Sequence, residues 1–300
     1  MTENGTVEVT DCQVCGGSQT RLMFEEAPYR VLRCVPCGLV FVTPRLDDES
    51  LRQVYDASYW QSDSPKLRGY ADYAGDEPLY LKTFRRRMRL VRRYVNPGSK
   101  VLDIGCAAGF FLRVMLQEGH DVYGVEPSAP IAAQAQENFG RDRIHGGTLD
   151  DLPDSAGFER HSFDLVSCWD VVEHVPDPQK LLRQVREMLA PNGTLILETQ
   201  NVDSTFAGML GRRWQHYKHR EHLYHFNPAT IERILHQSGF RVVHNTPSYG
   251  GKYVSFGFIA ERAERMNKVL SWLCKPLALI KRANVYVNLR DEMVVIAKPV

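Results

Sequence analysis

The stretch VLDIGCAAGFF, residues 101–111, decides how the chain is read. Val101 to Ile104 read as a short strand, apolar but for Asp103, and Gly105 and Gly109 bracket the small residues Cys106, Ala107 and Ala108. Such a run, bounded by a glycine turn and followed by Phe110 and Phe111, predicts a buried strand, a tight loop and the start of a helix. Glycine there lets a ligand lie against the backbone.

The pattern continues outward from this stretch. Strand KVLDIG (100–105) leads to helix FFLRVMLQE (110–118), and strand DVYGVEP (121–127) to helix APIAAQAQENF, with Ser128 as N-cap. Strand FDLVSCWDV (163–171) precedes Asp177, a second N-cap, and Pro178 at the first helical position. TLILETQN supplies another strand, Asn227-Pro228 opens the helix ATIERILHQS, and strands FRVVHNTP and EMVVIAKP close the chain. Strands alternating with helices of this length predict an α/β fold with a mostly parallel sheet covered on both faces. In such sheets ligands bind at the carboxyl ends of the strands. That rim would carry Gly105–Gly109, Glu126, Thr148–Asp151, Trp169–Asp170 and Gln200–Asn201.

The loop excludes two cofactor classes. No G-x-x-x-x-G-K-[ST] run exists, so a nucleoside triphosphate loop is absent. In a dinucleotide fingerprint the second and third glycines admit the pyrophosphate and close the helix onto the strand. Here Ala107 and Phe110 stand at those positions. The loop suits a cofactor whose amino-acid end lies on the backbone. Glu126, 21 residues after Gly105, adds a carboxylate able to accept hydrogen bonds from two ribose hydroxyls. S-adenosylmethionine (SAM) meets both demands.

At this point VLDIGCAAGFFL, VYGVEPS, GTLDDLP, FDLVSCWDVVEHVPDP and LAPNGTLILETQN together resemble the successive motifs of class I SAM-dependent methyltransferases. The likeness runs from about Lys100 to Val243. It is nearest to bacterial small-molecule and glycan-associated members that carry an N-terminal cysteine segment. The resemblance implies a Rossmann-like seven-stranded sheet. It implies that Asp103 and Gly105, with Ala107 and Gly109 in the loop, hold the methionine end, and that Glu126 holds the ribose. Leu149 and Asp150 would meet the adenine, and Trp169 and Asp170 would line the methyl-transfer edge. Ala107 replaces the family's usual glycine, and Thr148 stands where many members have an acid.

Cys12-Gln-Val-Cys15 and Cys34-Val-Pro-Cys37, eighteen residues apart, have zinc-ribbon spacing. Four thiolates leave zinc no open position, so a structural ion is expected. A module of about forty residues cannot bury a sufficient core alone, so the ion would supply folding energy. Cys106, Cys168 and Cys274 read as buried bystanders. The expected division is a zinc module at 1–43, a linker or lid at 44–80 with Tyr70 and Tyr73 as contacts, and a methyltransferase domain at 81–300. A helical insertion is expected at about 255–285, able to shape the acceptor site, form a dimer face or touch a membrane surface.

Methyl transfer to a hydroxyl calls for a general base near neutrality, which favours histidine. Two stretches compete: DVVEHVPDP, with Glu173 and His174, and WQHYKHREHLYHFNP (214–228), with His216, His219, His222 and His225. His222 is favoured as base or substrate contact, because REHLYHF resembles the family's segment there, and His174 is second. A histidine-held metal is not expected.

The chain has 300 residues, 43% apolar and 24% charged, and a net charge of +1. These values describe an ordinary globular protein and argue against a chain-wide nucleic-acid footprint. The polar N-terminus shows no signal peptide, no apolar stretch is long enough to span a bilayer, and a cytoplasmic location is expected. The helix LYLKTFRRRMRLVRRYV puts Leu81, Phe84, Met88, Val91 and Val95 on one stripe, leaving a solvated basic face or a dock for an anionic acceptor. The leading expectation is a methyltransferase acting at oxygen on a small molecule, nucleotide-sugar or glycan. The alternatives are an RNA methyltransferase that grips with its zinc module, and a non-catalytic zinc-ribbon binding protein.

Overall fold

The computed structural model describes residues 5–54, 60, 75–153, 157–266, 272 and 274–300. Tyr70, Tyr73 and most of the expected lid lie outside the described residues.

The central sheet is built from β6 (Lys100–Ile104), β7 (Asp121–Val125), β8 (Ile144–His145), β9 (Phe163–Trp169), β10 (Leu189–Gln200), β12 (Phe240–Thr246) and β15 (Glu292–Pro299). Its order is β12-β15-β10-β9-β6-β7-β8. The pairings of β8, β7, β6, β9 and β10 are parallel, and β15 runs antiparallel between β10 and β12. This is the expected seven-stranded Rossmann-like sheet. The order reverses at β6, whose neighbours are β7 and β9, so the 105–109 loop opens at the topological switch point.

Helices cover both faces. They include α1 (Asp48–Val54), α2 (Glu77–Val91), α3 (Phe110–Gln117), α4 (Ala129–Phe139), α5 (Pro178–Met188), α6 (Thr205–Leu210), α7 (Pro228–Gln237) and α8 (Phe256–Met266). The cap signals act where the sequence put them: the Asp177 carboxylate accepts from the Lys180 amide at 2.8 Å, and Asn227 forms a reciprocal capping box with Thr230. Ser128 sits at the N-cap of α4 but makes no cap bond; its hydroxyl takes the indole N–H of Trp60 at 2.8 Å.

Helix α2 corrects the sequence reading in one respect. Arg87 is buried with Phe84, Met88 and Val91, whereas Lys82, Arg85, Arg89, Arg92 and Arg93 are exposed. The hydrophobic stripe is completed by a charge that is paired inside the fold.

At the front of the chain, β2 (Thr20–Glu26), β3 (Tyr29–Cys34) and β4 (Val40–Thr43) form an antiparallel sheet whose fourth strand is β11 (Tyr224–His225). β11 comes from the far end of the chain, immediately after His222. The core is shared too: Val31, Val40 and Val42 pack with Val202, Ala207 and Trp214. In the expected insertion, α8 and a 3-10 turn at Lys275–Ile280 lie between β13 (Lys252–Ser255) and β14 (Asn284–Val287), which pair with each other. Among the described residues no helix is long and apolar enough to cross a membrane.

Candidate functional site

The loop after β6 has three left-handed residues: Gly105 at φ +71°, Ala107 at +48° and Gly109 at +82°. A Cβ at Gly105 would lie 2.8 Å from Val171, and one at Gly109 would lie 2.4 Å from the ring of Phe139. Both glycines are therefore fixed by space as well as by conformation. Ala107 tolerates its conformation with only a methyl group, consistent with its standing where a glycine is usual.

Glu126 follows β7 and is buried. One carboxylate oxygen accepts the Ala107 amide at 2.9 Å and the other the Ser128 amide at 2.8 Å. Burial raises its pKa to about 7, against the lowering effect of those two amides. Asp103, in β6, accepts the Ser167 hydroxyl at 2.6 Å; burial raises it to about 8, opposed by that bond and assisted by the charge of Glu126. Two carboxylates thus stand at the switch point, each costly to ionise until a cation or further donors arrive.

Trp169 ends β9 and forms a three-ring cluster with Phe84 and Phe111, its centroid 5.5 and 5.2 Å from theirs. The Arg87 guanidinium stands 4.8 Å from the Trp169 ring centroid, and the indole N–H has no partner among the described residues. Asp170, the next residue, takes a left-handed φ of +54°. Leu149 is half-buried, while Asp150 is exposed and held by Lys180 at 2.7 Å and Gln184 at 2.8 Å. Thr148 is tied instead to Asp151, whose carboxylate accepts from its amide.

The two histidine stretches, far apart in sequence, meet. The rings of His174 and His222 lie edge to face with centroids 4.6 Å apart, and donor atoms of Glu173, His174 and His222 lie within 4.8 Å of one another. His216 lies 6.0 Å from His222 and within 3.6 Å of both Asp291 and Glu292. Burial drives the His222 pKa well below the usual imidazole range, and the neighbouring His174 and Lys218 charges push the same way. Burial also lowers His174, against the raising effect of Glu221 and Asp170. Both imidazoles are thus less basic than a free imidazole, His222 the more so. Glu173, buried beneath them, takes the Thr199 hydroxyl at 3.0 Å.

A buried switch-point loop, two buried carboxylates and a histidine pair along one strand rim agree with the comparisons to known proteins. A family model described as a methyltransferase domain matches residues 76–245, more than half of the chain. The chain belongs to this methyltransferase family.

Among curated relatives, the ubiquinone biosynthesis O-methyltransferase of Xanthomonas campestris is 28% identical over 144 residues, 48% of this chain and 56% of that protein. The Azorhizobium caulinodans protein of the same name is 33% identical over 156 residues, 48% of this chain and 60% of its own length. The methyltransferase thus spans little more than half the length of these relatives. Two solved structures share its fold. One is a complex of the Haloferax volcanii Trm112 methyltransferase activator with a methyltransferase (18% identity, TM-score 0.54, 80% of this chain and 96% of that one). The other is magnesium protoporphyrin IX methyltransferase from Synechocystis PCC 6803 with bound S-adenosylhomocysteine (16%, 0.52, 85% and 100%).

The residues around the switch point fit SAM. The loop carries only small side chains from Gly105 to Gly109, Glu126 can accept hydroxyl donors, and among the described residues the Trp169 indole N–H has no partner and can donate. The four N-terminal cysteines fit a metal by donor chemistry. Their Sγ atoms all lie within 4.8 Å of one another, with Cys12–Cys37 at 3.4 Å and Cys15–Cys34 at 3.5 Å. Tetrahedral zinc with sulfur at about 2.3 Å spaces its ligands at about 3.8 Å. Burial raises the Cys12 thiol to about 11, so a cation would be needed to hold it as thiolate. Cys106 and Cys168 are buried and Cys274 is half-buried.

Three residues that contact the candidate site residues or their hydrogen-bond partners carry no motif in the sequence: Trp60, Arg87 and Asp291. Trp60 falls in the stretch expected as a linker or lid at 44–80, yet its indole N–H donates to the Ser128 hydroxyl. Arg87 was counted with a solvated face, yet it pairs with Glu198 at 2.5 Å. Asp291 begins no motif, yet it accepts from Trp214 at 2.8 Å and Gln215 at 2.7 Å beside His216. A surface depression of about 270 Å³ lined by His161, Arg186, Leu189 and Val300 lies at the opposite ends of the strands and touches none of these groups.

Proposed function

We propose that this methyltransferase transfers a methyl group to the oxygen of a small-molecule or carbohydrate acceptor, with His222 as general base and His174 beside it. The observation that carries this reading is the His174–His222 pair: His222 buried and His174 half-buried, both imidazoles made less basic by burial, next to the strand end that bears Trp169 and Asp170. SAM supplies an activated methyl group on a sulfonium. Asp103 and the Gly105–Gly109 backbone would hold its amino-acid end, Glu126 would accept its ribose hydroxyls, Leu149 and Asp150 would meet its adenine, and Trp169 and Asp170 would line the transfer edge. His222 takes the acceptor's hydroxyl proton as the new O–C bond forms and the C–S bond breaks. Positioning of the two reactants contributes the larger share of the rate.

Matching relatives named as O-methyltransferases support oxygen as the acceptor atom. The basic helix gives little support to an RNA acceptor: Arg87 is buried in an ion pair, Arg92 is paired with Glu118, and Arg86 lies over the Tyr286 ring. Cys12, Cys15, Cys34 and Cys37 hold a structural zinc ion in this reading.

The test is incubation of the protein with methyl-labelled SAM and, in turn, phenolic small molecules, nucleotide-sugars and RNA. An O-methylated phenol or sugar is expected. Label in RNA, or on nitrogen or carbon, would overturn the acceptor assignment.

A further inference from the structure

The module that carries the four cysteines is built into the half of the site that carries His222. β11 (Tyr224–His225) begins two residues after His222 and pairs with β4 in the register Tyr224↔Phe41 and His225↔Val40. The Val42 amide donates to the Leu223 carbonyl at 3.0 Å. On its other side the same segment reaches the loop after β9, because the Leu223 amide donates to the Glu173 carbonyl at 2.9 Å. The segment between His222 and Phe226 is thus a shared strand, held by the module on one side and by Glu173 on the other.

Side chains repeat the pattern. The Tyr224 hydroxyl donates to the Pro176 carbonyl at 2.8 Å and receives a hydrogen bond from Arg45 at 2.5 Å. Arg33, one residue before Cys34, pairs with Asp203 at 2.6 Å, and Asp203 accepts from Asn227 at 2.7 Å. His219 is buried against Phe24 and Tyr29 of the module. By contrast, Asp103, Glu126 and the glycine loop receive none of these bonds; their partners are Ser167, Ala107 and Ser128.

The register of β4 depends in turn on the thiol cluster. Cys34 ends β3, its amide donates to the Leu39 carbonyl at 2.8 Å, and Gly38 donates back to the Cys34 carbonyl at 2.9 Å. The turn between β3 and β4 is therefore the turn that presents Cys34 and Cys37. Two of the four ligand positions set where β4 begins.

We infer that the cysteine module is the scaffold of the acceptor half of the site: metal binding by Cys12, Cys15, Cys34 and Cys37 orders the 214–226 crossover that carries His222, while the SAM half, which shares only an apolar cluster with the module, keeps its own hydrogen bonds. This rests on reading the four thiols as a metal site and does not depend on His222 acting in proton transfer. Metal binding energy in small modules is folding energy, and here the fold so stabilised continues through β4 into β11. Loss of the ion, by chelation or by oxidation of the thiols, would abolish acceptor binding before cofactor binding.

The test uses the full chain, loaded with zinc and then stripped by a chelator under reducing conditions. Metal content, hydrogen exchange and calorimetric titration with SAM are measured on each form. Stripping is expected to speed exchange at Val42 and at residues 223–225 at least tenfold. Exchange in β6 and the affinity for SAM should stay within about twofold. Protection retained at 223–225 while residues 12–37 become exposed would overturn the inference and leave the zinc reading intact. Absence of stoichiometric zinc in the loaded form would overturn both. The double variant Arg33→Ala/Tyr224→Phe acts at the seam, away from the thiols. It should keep its zinc and SAM binding and exchange faster at 223–225; unchanged exchange there would count against the coupling.

Discussion

The imidazoles of His174 and His222 meet edge to face, 4.6 Å between centroids, above the buried carboxylate of Glu173. If His222 is the base, His222→Ala should lower kcat by about 10²–10⁴-fold, the usual contribution of a positioned base. Calorimetric affinity for SAM should not change. Because burial keeps the folded-state pKa of His222 below its unfolded value, its neutral form is available across the physiological range. Its contribution to stability is present above the unfolded pKa and is lost as pH falls through the folded one. The acid limb of kcat/KM should therefore lie below the usual imidazole range, and a limb centred at or above pH 6.5 would assign the base elsewhere.

Glu126 gives the opposite sign. Its folded pKa, raised to about 7, favours the apo protein in acid, and that contribution fades as pH rises through about 7. Ribose hydroxyls donate to the ionised form, so SAM affinity should climb between pH 6 and pH 8. Glu126→Ala should weaken SAM by roughly 10–100-fold, since a hydrogen bond to a charged group is worth about 1.5–3 kcal/mol. Titration of both proteins across that range checks the slope and the loss together.

Gly109→Ala tests the loop. The new Cβ meets the Phe139 ring at 2.4 Å, and the left-handed φ adds about 1–2 kcal/mol of strain. A lower melting temperature together with weaker SAM binding is expected. Gly98→Ala, with a similar φ of +76° and nothing within 4 Å, is the control; it should lose stability and keep SAM affinity.

Arg87→Met should destabilise the fold by about 3–5 kcal/mol, because it leaves the Glu198 carboxylate buried and unpaired. Denaturant unfolding measures it. Arg89→Met on the exposed side of the same helix should change stability by no more than about 0.5 kcal/mol.

Much of this was legible in the chain itself. The alternation of strands and helices, the caps at Asp177 and Asn227 and the departure of Ala107 and Phe110 from a dinucleotide loop are local facts, and local rules read them. The C-x2-C pairs are likewise read by spacing alone. Arg87 was misread for a physical reason: helical periodicity reports which face turns inward, not whether a carboxylate such as Glu198 waits on a strand 111 positions away.

The sequence by itself determined the sheet, the switch-point loop and the residue types able to hold an amino-acid tail and a ribose. Each depends on neighbours within a few residues. Tertiary structure alone decided that His174 and His222 form one pair, that Asp291 backs His216, and that the cysteine module lends a strand to β11. Those pairings depend on chain closure over long loops, where no short-range preference selects the partner.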